Sequence, residues 1–105
     1  NTDIHIGNIS LQQISTTNRS AEFAIMFGEI NFMGKGLSKE ASFLILNYGF
    51  KELKLHRIYC ATNQYNLPMQ QLALSLEMKE EGILKDAMYK NGEFFDMFQY
   101  AIIED

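Results

Sequence analysis

The residues best placed to do chemistry are Met33, Gly34, Lys35, Gly36, Leu37 and Ser38, which run consecutively. Two glycines stand two apart at the mouth of a segment with helical apolar spacing, just after the apolar run at 21–27 (AEFAIMF). Glycine lets a backbone turn sharply and approach a ligand closely. The first amides of a helix have no partner inside it and point outward. With the helix dipole they make an anion site of the kind that suits a pyrophosphate. Lys35 supplies either a cation for such a group or a solvated side chain. Taken alone, Gly-x-Gly also fits a turn that merely caps a helix.

Other reactive residue types give weaker signals. His5 and His56 are far apart and lack metal-ligand spacing. Cys60, the single cysteine, sits in an apolar stretch and reads as a buried thiol rather than a nucleophile. The pairs Glu80-Glu81 and Glu104-Asp105 read as solvated charge, and the six Met and eight Phe as core.

The elements that must hold the loop follow from periodicity. Residues 4–11 (IHIGNISL) read as a strand bulged at Gly7, and 12–20 as a polar loop. The apolar run at 21–27 predicts a strand buried on both faces. After the glycine-rich turn at 28–39, Leu37, Ala41, Leu44, Ile45 and Tyr48 follow the helical period, which reaches Leu53. Gly49 weakens that helix by roughly 1 kcal/mol relative to Ala. A short strand is expected at 57–61, then a helix capped by Asn66, with Pro68 in its first turn and Met69, Leu72, Ala73 and Leu76 as its apolar stripe. Strands at 79–89 and 93–103 flank Asn91-Gly92, a type I′ hairpin signal. The predicted fold class is therefore α+β: a mixed, mainly antiparallel sheet with two helices and one strand–helix–strand crossover.

Composition bounds the rest. The chain has 105 residues, 47% of them apolar and 21% charged, which suits one ordinary globular domain. The net charge is −4 and the nine basic residues are scattered, so no nucleic-acid footprint is expected. No apolar run of about 18 residues exists to span a membrane. No export leader is visible, and a lone cysteine fits a reducing cytoplasm.

Residues 18–59 (NRSAEFAIMFGEINFMGKGLSKEASFLILNYGFKELKLHRIY) resemble the GNAT superfamily of acetyl-CoA-dependent N-acetyltransferases. Within it they are similar to the branch of ribosomal-protein N-terminal and spermidine acetyltransferases. The Asn-led stretch at 66–82 and the hairpin at 89–102 (YKNGEFFDMFQYAI) extend the likeness over nearly the whole chain. The resemblance implies a partial GNAT fold, one domain over residues 1–105, that holds the cofactor. It implies that Ile25, Met26 and Phe27 pair their backbone with the pantetheine arm of acetyl-CoA. It implies a pyrophosphate loop from Met33 to Ser38, with Met33 where Gln or Arg is common and Ser38 where Gly or Ala is common. Asn66 matches the family's Asn near the cofactor, a role compatible with a helix cap.

The same resemblance exposes departures. A Tyr that protonates the leaving thiolate in many relatives is Ala73 here, seven residues after Asn66. The usual Gly-Phe is Glu77-Met78, and a carboxylate found on the fifth strand of some relatives is Ala61. Glu22 is the nearest alternative base, or else a solvent-facing strand carboxylate. Ser75 and Tyr65 are weaker substitutes for the acid. The sequence begins at what resembles the family's third strand. That predicts a bare edge at 4–11 and an open face presented by Phe23, Ile25, Phe27 or their neighbours. A homodimer is expected to cover them. The implied activity is acetyl transfer to a primary amine. The alternatives are a non-catalytic CoA-binding or dimerising module, and a small α+β domain with a fortuitous Gly-x-Gly.

Overall fold

The computed structural model describes residues 4–6, 9–25 and 37–104. Six strands form one sheet: β1 (Ile4–Ile6), β2 (Ile9–Ser15), β3 (Ser20–Ile25), β4 (Arg57–Asn63), β5 (Lys79–Lys90) and β6 (Glu93–Ile103). Their order across the sheet is β1-β2-β3-β4-β6-β5. Among the described residues β3 and β4 are the one directly paired couple that runs parallel, joined through helix α1 (Leu37–Lys51); the second helix, α2 (Leu67–Ser75), follows β4. The mixed, mainly antiparallel α+β sheet is as expected, but a second crossover joins β4 through α2 to β5, which runs in the same direction, with β6 entering between them.

Strand alternation sorts the side chains into two faces. Ile9, Leu11, Ala21, Phe23, Ile58, Cys60 and Tyr100 face the helices and share one core with Ile45, Leu46, Met69, Leu72, Ala73, Leu76 and Met78. The other face carries Gln12, Glu22, Ala24, Arg57, Tyr59, Ala61, Asn63, Met97 and Gln99. Among the described residues no helix packs on it. The open face thus belongs to Glu22 and Ala24, not to Phe23, which is buried beneath the helices.

Several boundaries depart from expectation. The first strand is two, paired antiparallel as Ile4↔Leu11 and Ile6↔Ile9. Among the described residues the edge strand is therefore β1, while residues 9–11 lie inside the sheet. The expected loop at 12–20 is mostly strand, with an irregularity between Gln12 and Ser15 where Gln13 is left-handed. On α1 the buried face is Ser42, Ile45, Leu46 and Gly49, whereas Leu44 and Tyr48 point outward, Leu44 being 63% exposed. Gly49 explains the rotation. A Cβ there would come within 2.9 Å of Leu11 Cδ1 and 3.1 Å of Ile58 Cδ1, so the missing side chain lets the helix lie close to the sheet. Phe43, Met88 and Phe94 are exposed rather than core.

The second helix matches its sequence signals. Asn66 Oδ1 accepts the Met69 amide at 3.2 Å, Pro68 lies in the first turn, and Met69, Leu72, Ala73 and Leu76 are buried. The β5–β6 turn places Asn91 and Gly92 both at positive φ, as a type I′ turn requires.

Candidate functional site: the fork between β3 and β4

The parallel ladder between β3 and β4 is short. It pairs Ser20 with Arg57, Ala21 with Ile58 and Glu22 with Tyr59, and then ends. Beyond that rung β3 continues to Ile25, held by β2 on its far side, and β4 continues to Asn63, held by β6. Each strand is thus fixed by its outer neighbour while the inner edges part. Two facing strand edges without a ladder between them fit an extended arm that carries its own amides. Residues Leu37 and Ser38 open α1 from the same crossover, and Ile25 ends β3. Met26, Phe27, Met33, Gly34, Lys35 and Gly36 lie outside the described residues.

The closed side of this fork is lined by the helices, and the open side by Glu22. Glu22 is half-buried on the last paired rung, beside Tyr59 and opposite Gln12. Its carboxylate has no hydrogen-bond or ion-pair partner among the described residues. The other side chain expected near the cofactor, Asn66, is occupied at Oδ1 by its capping bond and is exposed.

Sequence reasoning missed the residues that brace the far end of β4. Asn63 Oδ1 accepts the Tyr65 amide at 2.7 Å. Gln64 pairs with Asp96 twice, its backbone amide donating to the Asp96 carbonyl and its Oε1 accepting the Asp96 amide. Gln70 Nε2 donates to the carbonyls of Asn63 and Gln64. These bonds tie β4, α2 and β6 into one corner. The Asn-x-Tyr-Asn spacing at 63–66 was the available signal for such a side-chain-braced turn.

The family departures have defined places. Ala73 is fully buried in the core. A tyrosine there would have to displace its neighbours. Ala61 lies on the open face. Glu77 is left-handed at φ 70°, just past a helix end where Met78 N donates to Ala73 O and Glu77 N to Leu74 O. That is a Schellman turn, which glycine normally closes. Met78 takes the buried place of the usual Phe. Ser75 Oγ donates to Leu72 O, while Tyr65 is exposed and meets the Phe95 ring edge-on at 5.7 Å.

Electrostatics separate reactive from inert groups. Burial, and secondarily the charge of Glu22, push the Cys60 thiol up to about 12, so it is not a nucleophile at neutral pH. Glu81 is exposed, as expected of a solvated charge, but it is also ion-paired. It accepts a bidentate pair of hydrogen bonds from Arg57 at 2.6 and 2.7 Å and a third from Gln99 at 3.2 Å. Arg57 also lies over the Tyr59 ring, 5.4 Å from its centroid. No group of three or more His, Cys, Asp or Glu able to hold a metal occurs among the described residues. No described helix is long and apolar enough to cross a membrane.

The fold, the forked parallel pair and the crossover helix define a class, and comparison agrees. The family model for the acetyltransferase (GNAT) domain matches residues 1–79, and the chain belongs to that family. Among its relatives is the uncharacterized N-acetyltransferase YnaD of Bacillus subtilis, 39% identical over 75 residues, which are 71% of this chain and 44% of YnaD. The structure is similar to spermidine N-acetyltransferase from Vibrio cholerae in complex with CoA and spermine, with TM-score 0.81 and 30% identity over 90% of this chain and 56% of that one. It is likewise similar to the dodecameric structure of that enzyme in an intermediate state, with TM-score 0.80 and 30% identity over 90% of this chain and 55% of that one. The chain spans about half the length of the curated relatives it matches.

Proposed function

We propose that this chain is the cofactor-holding, C-terminal part of a GNAT domain that transfers acetyl from acetyl-CoA to a primary amine. The carrying observation is the fork: the β3–β4 ladder stops at Glu22 and Tyr59, in the strand pair that α1 connects. The pantetheine arm lies between the parted edges, against the backbone of Ile25, Met26 and Phe27. The pyrophosphate sits on the loop from Met33 to Ser38, with Lys35 as a counter-charge and Asn66 nearby. The amine nitrogen attacks the thioester carbonyl carbon, the carbon–sulfur bond breaks, and CoA leaves as a thiolate. Glu22, on the open side, takes the proton lost by the amine. With alanine at 73, no protein acid is assigned to the thiolate. Positioning of the two reactants supplies the larger part of the acceleration.

The named activities of the relatives are all acetyl transfers, which favours turnover over a purely binding module. A reducing cytoplasm, where a lone cysteine stays free, is the proposed location. We also infer a homodimer. The exposed aromatic end of the β5–β6 hairpin, Tyr89 and Phe94, offers one self-complementary patch, and the description of the related Vibrio cholerae enzyme as dodecameric is consistent with self-association. Light scattering at low micromolar concentration tests this, and a monomer there would overturn it.

The cofactor assignment is tested by thermal unfolding with CoA. A ligand that binds only the folded chain raises its melting temperature. CoA is expected to do so, and Gly34→Asp or Gly36→Asp to abolish the rise by setting a carboxylate beside the phosphates. An equal rise in parent and variants would place CoA elsewhere.

A further inference from the structure

We infer that Gln70 is a positioning residue for the cofactor: by bonding α2 to the end of β4 it sets where Asn66 and the β4 edge of the fork stand. The inference rests on the CoA-binding reading above. The chain must leave β4 at Asn63 and enter α2 at Leu67, so three residues make the corner. The β4–β6 ladder runs as far as Asn63 and Met97. One residue on, Gln64 N donates to Asp96 O at 3.0 Å, but the return bond from Asp96 N goes to Gln64 Oε1 at 2.7 Å rather than to the Gln64 carbonyl. The side chain thus completes the rung and frees that carbonyl, which accepts Gln70 Nε2 at 3.1 Å. The same Nε2 donates to Asn63 O at 3.2 Å, and Asn63 O also accepts the Asn66 amide at 3.0 Å. A planar amide with two N–H bonds takes two carbonyls at once and fixes their relative orientation. Both bonds are part-buried, where a carbonyl left unmet costs more than it does in water.

The corner lies at the wide end of the fork, yet the first turn of α2 has no amide left for an anion. Leu67 N donates to Tyr65 O, Pro68 has none to give, Met69 N donates to Asn66 Oδ1 and Gln70 N to Asn66 O. This corner therefore suits the amide-bearing arm of the cofactor rather than its phosphates. With Oδ1 committed to the cap, Asn66 offers a ligand its Nδ2, a donor matched to an amide carbonyl of the arm. Where that donor stands depends on the angle at which the chain leaves β4. Gln70 fixes the angle from the helix side, and Gln64 from the sheet side.

The test measures the Kd of CoA by calorimetry on the encoded polypeptide, including any segment ahead of Asn1, beside the melting temperature of the free chain. Gln70→Met keeps the length and removes both donors. It is expected to raise the Kd about three- to tenfold, the net worth of an ordinary hydrogen bond. Gln70→Lys keeps a donor and is expected to bring the Kd back to within about twofold of the parent. A brace that served stability alone would lower the melting temperature of Gln70→Met and leave its Kd at the parent value, and that result overturns the inference. So does Gln70→Lys binding CoA no better than Gln70→Met. If Gln70→Met does not fold, Gln64→Met, which strips the Asp96 amide of its partner, decides by the same measure: a raised Kd supports the inference and a parental one overturns it. A parent chain that binds no CoA overturns the cofactor reading, and this inference with it.

Discussion

Glu22 and Tyr59 form the last rung of the only parallel ladder among the described residues, and the strands part immediately beyond them. The rung holds a carboxylate at the crotch of the fork, on the side the helices leave open. If Glu22 receives the amine's proton, Glu22→Gln is expected to lower kcat/KM by about 10²–10⁴ at neutral pH while leaving CoA binding intact. As an ordinary strand carboxylate it would change stability by only about 0.5 kcal/mol and turnover little. Steady-state kinetics beside CoA-dependent melting separates the two.

The left-handed Glu77 closes the Schellman turn where glycine is favoured. An L-residue in that conformation costs about 1–2 kcal/mol, partly offset in a Gly variant by the greater freedom of the unfolded chain. Glu77→Gly is therefore expected to stabilise the fold by roughly 0.5–1 kcal/mol. A urea titration that moves the midpoint down instead would show that the side chain holds a contact outweighing the strain.

Gly49→Ala tests the close approach of α1 to the sheet. Helix propensity favours Ala by about 1 kcal/mol. Against this, the new methyl meets methyls of Leu11, Ile58 and Leu55 at 2.9, 3.1 and 3.3 Å. These come from a strand on either side and from the loop after the helix, so no single rotamer change clears them. Overpacking of this kind costs about 1–3 kcal/mol. A net loss of about 1 kcal/mol is expected in chemical denaturation, and a gain would mean that the core yields there.

The Arg57–Glu81 pair gives an acid-side signature. Hydrogen bonds from the guanidinium, with a further bond from Gln99, hold the Glu81 carboxyl below the usual carboxylate range, although burial acts the other way. A depressed folded value means that the stabilisation is fully present above the unfolded value of about 4.3 and is lost as pH falls through the folded one. The side chains are 30% and 34% exposed, so solvent screening limits the contribution to below about 1 kcal/mol. Glu81→Gln is expected to flatten stability against pH below about 4.3. An unchanged acid limb would show that other carboxylates set it.

What could be read from the sequence was local. Asn66, Pro68 and Met69 announce a helix start because a cap is satisfied within four residues. Asn91 and Gly92 announce their turn because few residues adopt its conformation. The Gly-x-Gly and the residues after Asn18 carried the family. The face of α1 was misread because the contact is made by Ser42 and Gly49, whose small size admits the sheet but scores nothing in an apolar count. Leu44 and Tyr48 scored well and point outward. The role of Glu81 was hidden by the irregularity between Glu80 and Gly82, which adds a residue to β5 and carries its carboxylate across β6 to Arg57. Such a reach depends on the pairing of distant segments.

The place of β6 between β4 and β5 has a consequence for how the chain is made. Synthesis delivers β4 long before the strand that closes its far edge, and Arg57 waits for Ile103. Once the turn at Asn91 and Gly92 has emerged, β5 and β6 can zip locally within microseconds or so, and the finished hairpin then docks as a unit. Until that moment β4 presents an open edge with Cys60 and Thr62 uncovered by β6. A nascent chain that has emerged only as far as Gly92 would hold β4 and β5 without the strand that joins them, the state most open to chaperones and to misassembly with a neighbouring chain.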